Sequence, residues 1–168
     1  MDIRHVVIIV VLFTLFVAMG AVLGQRYNKV DVASLPAPIV PEGVIVSEPE
    51  TVPEEFREFL GSWEGVWNER SSDYALRSII IVKDVNENGI AQVSYAVGDH
   101  EGFEFAGRYF ELEGQIHGGE FLSVNLDNPS IPQITQGGSL IFEKEGDVLH
   151  GMYRIYDSVS GGEFRKQL

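Results

Sequence analysis

Leu60-Gly61-Ser62-Trp63-Glu64-Gly65-Val66-Trp67 is the stretch on which the fold turns. Read as a strand, it places Gly61, Trp63, Gly65 and Trp67 on one face and Ser62, Glu64, Val66 and Asn68 on the other. Two indoles separated by a glycine suit the inside of a small, curved, closed sheet. The glycine permits a bend or a close approach, and the indoles fill the floor.

Downstream the chain reads as strand after strand. Tyr74–Val85 contains Ser78-Ile79-Ile80-Ile81-Val82, β-branched and apolar on both faces. Asn86-Glu87-Asn88-Gly89 is a tight-turn signal, since Asn and Gly tolerate positive φ. It predicts a hairpin that brings Val82 close to Ile90. Ile90–Val97 alternates Ala91, Val93, Tyr95 and Val97 against polar partners. The next strands are expected over Phe103–Leu112, broken at Gly114, and Gln115–Leu126, interrupted at Gly118-Gly119. The longest loop covers 127–138. Ser139–Lys144 and Val148–Tyr156 form a hairpin about Glu145-Gly146-Asp147, and Gly161-Gly162 leads into a last strand, Glu163–Leu168. About eight short strands without a long helix predict an all-β, antiparallel up-and-down barrel over residues 55–168, a closure that removes exposed edges.

Two segments precede this domain. Residues 6–23 carry no charge, a length that just spans a hydrocarbon core. Residues 1–24 therefore read as an uncleaved transmembrane signal-anchor. The alternative is a signal peptide cleaved after Gly20 or Gly24. Either way the domain lies outside the cytoplasm, periplasmic or extracellular, and the anchor reading makes the membrane a partner through this helix. Residues 25–54 hold five of the seven prolines, with Val, Ser, Ala and Glu between them, and read as an extended spacer that forms no sheet with the domain. Glu54–Leu60 offers one or two helical turns with Phe56, Phe59 and Leu60 on one side, either a plug for one barrel end or a simple lead-in.

Composition narrows function more than it names it. There is no cysteine, hence no disulfide staple and no zinc-type Cys/His framework. Residues 56–168 carry 18 acids against nine bases, and a domain of that sign gains nothing from phosphate attraction, so nucleic acid is not an expected partner. No Gly-x-Ser-x-Gly, His-Glu-x-x-His or phosphate-binding glycine loop occurs, and no cofactor is implied. Asp99-His100-Glu101 is the one compact cluster of titratable groups, able to serve as base or ligand but equally an ordinary hairpin turn. His117 and His150 would complete a three-histidine site only if they met His100. Trp67, Tyr95, Phe103, Phe105, Tyr109 and Tyr153 are candidates to line a cavity for a small apolar or amphipathic ligand. The competing reading is plain core, since small barrels fill themselves.

Gly61-Ser62-Trp63 at the head of the first strand resembles the G-x-W signature of the lipocalins and their wider calycin relatives. In that family the Trp closes one barrel end and an Arg or Lys from the last strand lies across it. The resemblance implies that role for Gly61 and Trp63, with Arg165 as first choice for the cation and Lys166 as the alternative, because the two face opposite ways. Trp63-Glu64-Gly65-Val66-Trp67 and Val93-Ser94-Tyr95-Ala96-Val97-Gly98-Asp99 also resemble elements of small exported bacterial domains of unknown function. The likeness covers residues 60–168 and brings no activity with it. Three functions follow as expectations: a tethered barrel binding a small apolar ligand; a hydrolase or isomerase with its site at one barrel mouth; or a filled interaction module. The state of the interior discriminates among them.

Overall fold

The computed structural model describes residues 31–68, 75–100, 107–126, 138–155 and 158–167. The apolar N-terminal stretch, Phe103, Phe105 and Glu101 lie outside them. Among the described residues no helix is long and apolar enough to cross a membrane.

Eight antiparallel strands close into one barrel in chain order: β1 Gly61–Asn68, β2 Ala75–Val85, β3 Ile90–Val97, β4 Tyr109–His117, β5 Phe121–Asn125, β6 Ser139–Glu145, β7 Val148–Ile155 and β8 Ser158–Lys166. β1 and β8 pair to complete the ring, with Trp63 opposite Lys166 and Gly65 opposite Phe164. The expected number of strands is observed, and the larger differences in their boundaries have one physical reason. Gly114 and Gly161-Gly162 stand inside β4 and β8, not between strands. Gly114 faces Leu122 and Val124 at near-contact distance, and Gly162 faces the Trp67 ring, so these glycines make room for neighbours. The chain turns instead at Gly118–Glu120. The β2–β3 hairpin turns at Asn86–Gly89 as expected, but Val82 lies too far before the turn to meet Ile90 and faces Val93; an irregularity between Val82 and Asp84 shifts the register by one residue.

The barrel has a turn end and a loop end. The turn end gathers the connections after β2, β4 and β6 with the chain entry at Gly61. A 3₁₀ helix, Glu54–Phe59, lies over it, with Phe56 and Phe59 buried in the core together with Val52 and Leu60. Lys144 Nζ holds Glu58 at 2.6 Å and fastens the helix to the β6 end. Of the two readings open for this segment, the plug is the one observed.

Residues 31–53 form no strand. They run along the outside of β2 and β3, from Pro36 beside Gly98 to Ser47, whose N–H donates to Lys83 O at 2.7 Å. Residues 31–168 form a single compact unit. Compactness therefore begins well before residue 55, where a free spacer was expected to end. Ile81 and, across the ladder, Ser94 and Ala96 point outward yet are buried, on the face along which this segment runs.

Candidate functional site

The barrel axis is occupied by aromatic rings. Trp67 is 2% exposed, and its ring centroid lies 4.8 Å from Phe164, 5.7 Å from Phe142 and 5.8 Å from Tyr153. Three inward glycines create the space. A Cβ on Gly65 would stand 2.7 Å from the Phe164 ring, one on Gly151 2.7 Å from the Trp67 ring, and one on Gly162 3.1 Å from it. The polar edge of Trp67 is satisfied inside the barrel: Nε1 donates to Tyr95 Oη at 2.9 Å, and that hydroxyl lies 3.5 Å from Ser78 Oγ. Burial pushes the Tyr95 phenol up to about 12, with the bonds to Ser78 and Trp67 opposing it. Of the candidate ligand-lining residues, Trp67, Tyr95 and Tyr153 are thus packed together in the core. Tyr109 is not with them, since it faces outward from β4, next to inward Phe110.

Trp63 stands at the turn end, fully buried, with Nε1 donating to Phe59 O at 2.9 Å. The cation over its ring is Lys166, whose Nζ lies 5.2 Å from the centroid. Arg165 was the first choice from the sequence. It pairs with Glu64 on the outer face, exposes most of its side chain and meets Glu163 only at 3.8 Å. Strand parity decides between them: the residue opposite inward Trp63 is Lys166, and its neighbour must point away. Gly61 has φ +111°, a conformation that strains any L side chain, and its missing Cβ leaves 3.3 Å to the Lys166 stem.

The three histidines do not converge. His100 follows β3 at the loop end, whereas His117 and His150 belong to the turn-end halves of β4 and β7. His117 Nε2 lies 3.0 Å from Ser123 Oγ, and His150 Nε2 lies 3.3 Å from Glu145. Among the described residues no group of three His, Asp or Glu side chains is placed to hold a metal ion.

What the sequence did not indicate is a groove on the outside. Between the Pro41–Ser47 turn and the outer face of β2–β4 lies a space of about 440 Å³, lined by Glu42, Val44, Lys83, Asp84, Tyr109 and Glu111 among others. Its floor is one connected polar cluster. Lys83 and Tyr109 both donate to Glu111, Ser94 Oγ lies 3.2 Å from both Glu111 oxygens, and Tyr109 Oη stands 2.8 Å from Ser94 Oγ. Desolvation pushes the Glu111 carboxyl up, but the bonds from Lys83, Tyr109 and Ser94 outweigh it, and the group sits below the usual carboxylate range. Burial and the hydrogen bond to Glu111 raise the Tyr109 phenol. The clue available in the sequence was indirect: a strand apolar on both faces needs a cover, and a cover leaves an edge.

Neither protein-family models nor curated protein sequences give a match to this chain. Fold and site together define a closed, eight-stranded antiparallel barrel with an aromatic core and a polar outer groove.

Proposed function

We propose that this chain is a membrane-tethered, extracytoplasmic barrel that acts as a non-catalytic binding module through its outer surface. The observation that carries the reading is the occupied axis. Trp67, Phe142, Tyr153 and Phe164 pack ring against ring where a ligand-carrying barrel would be hollow, and Gly65, Gly151 and Gly162 are spent on making them fit. The uncharged stretch 6–23 supports the tether. The buried Trp63 with Lys166 across its ring, behind a glycine at positive φ, supports the calycin-like reading of residues 60–168. A small amphipathic ligand is the second reading, and the outer groove beside Tyr109 favours it over the interior.

Native mass spectrometry of the detergent-extracted full chain, paired with a tryptophan-fluorescence titration by a long-chain fatty acid, tests the proposal. The expected result is the bare mass and an unchanged emission from the two buried indoles. A co-purifying mass together with a shifted emission would place a ligand in the interior and overturn the filled-module reading.

A further inference from the structure

The N-terminal chain is held in two ways. Val52, Phe56, Phe59 and Leu60 belong to the core. Residues 31–51 bury no side chain, and Ile39 and Ile45 are 73% and 80% exposed. Among the described residues one backbone hydrogen bond ties this segment to the barrel, Ser47 N–H to Lys83 O, with a long contact of 3.5 Å from Arg77 Nη1 to Leu35 O. A segment with so few buried contacts opens locally at little cost. Its seat is nonetheless shaped for it. Gly98 has no left-handed φ, so its backbone does not call for glycine, yet a Cβ there would stand 2.3 Å from Pro36 O. A Cβ would also stand 3.0 Å from Arg77 O of β2, so the closer of the two limits is the one the strap sets.

We propose that residues 31–51 are a releasable strap that sets the length of free chain N-terminal to the barrel. The proposal rests on the tether read above. Released as far as Val52, it adds residues 31–51 to the chain that precedes the barrel, a contour of about 70 Å, and its prolines keep that chain extended. Release also uncovers Ile81 and Ala96 on the outer face of β2–β3 and opens one wall of the groove above Lys83 and Glu111.

The test uses the full chain in liposomes of zwitterionic lipid containing an acceptor-labelled lipid. The chain has no cysteine, so a single Arg108→Cys at the exposed loop end carries the donor dye. Gly98→Ala removes the seat, and Ser47→Pro removes the one N–H donor without touching the barrel. Each should lower energy transfer by about half or more, with the barrel's thermal midpoint moving by less than ~3 °C. Hydrogen exchange on the parent should show the Ser47 amide opening at least ~100-fold faster than the amides of β3. Equal protection of Ser47 and β3, or unchanged transfer in both variants on membrane-retained protein, would overturn the strap. Carbonate release of the parent from the liposomes would instead overturn the tether, and the reach claim with it, while the exchange result would still decide whether the strap opens by itself.

Discussion

At Gly151 the side chain is a hydrogen because the Trp67 ring occupies the space where a Cβ would be, 2.7 Å away. Gly151→Val would overfill the barrel axis, and overpacking of this kind costs about 1–3 kcal/mol. Denaturant melts should show the loss, and the double variant with Trp67→Phe should recover part of it by returning volume. Tyr95 supplies a pH signature from the same cluster. Its phenol is raised from 10.0 to about 12 by burial, so between those values the unfolded chain has lost a proton that the folded chain keeps. Stability is therefore full below pH 10 and falls as pH rises towards 12. Phenolate absorbance from Tyr95 should appear only as the barrel opens. The Tyr95 share is read as the difference from Tyr95→Phe, since the chain holds six tyrosines, and a Tyr95 phenolate at pH 10 in a fully folded barrel, judged by near-ultraviolet dichroism, would contradict the packing. At this scale the sequence was legible in kind but not in pairing. Period-two alternation put Trp67, Tyr95 and Tyr153 on inward faces, yet nothing in it could pair Gly151 or Gly162 with the indole, since those contacts join positions more than 80 residues apart. Likewise parity alone showed that Arg165 and Lys166 oppose one another, and only the β1–β8 register selected Lys166.

Strands and turns depend on short-range signals, and here most were readable. Asn86-Glu87-Asn88-Gly89 turns as its composition demands: Asn86 Oδ1 accepts from the N–H groups of Asn88 and Ile90, and Gly89 sits at φ +75°. Gly89→Val should cost about 1 kcal/mol or more from the left-handed φ alone. Its Cβ would also approach Ile116 O at 2.8 Å and Phe56 at 3.3 Å, so the plug helix should loosen with the turn. A melting temperature equal to the parent's would argue against that geometry. Glycine proved ambiguous as a sequence sign. The same residue marks a turn at Gly118 and Gly146, with φ +60° and +58°, and a packing space at Gly114 and Gly162 within strands. The strap was the least legible element. Its prolines, Val and Ile are those of a free spacer, and the information that it docks lies elsewhere, in the doubled apolar faces of Ser78–Val82 and in Gly98.

Closure is a property of the whole molecule, since β1 and β8 meet across the full length of the domain and leave no edge. Their seam ends at the turn end, where three parts of the chain converge on one indole: the plug through Phe59 O, the first strand through Trp63 itself, and the last through Lys166. Lys166 also reaches Glu58 O at 3.4 Å, and its neighbour Gln167 donates its N–H to Ser62 O at 2.8 Å, so the seam is latched beyond the last strand residue. Trp63→Ala should cost about 3–5 kcal/mol, the usual loss for a fully packed aromatic, and leave the plug without a donor for Phe59 O. Lys166→Ala should cost less, about 0.5–1 kcal/mol, because its ammonium stays in reach of water. Arg165→Ala, on the outer face, should stay within about 0.5 kcal/mol of the parent. The deciding quantity is the coupling. Once Trp63 is Ala, the cation has no ring to lie over, so adding Lys166→Ala should cost almost nothing further. The same addition to Gly151→Val, at a separate contact, should cost its full amount. Denaturant melts of the four-member cycle measure this directly. Strict additivity of Trp63→Ala and Lys166→Ala would mean that the two residues stabilise the seam independently, and the ring–cation contact would then not be what closes the barrel.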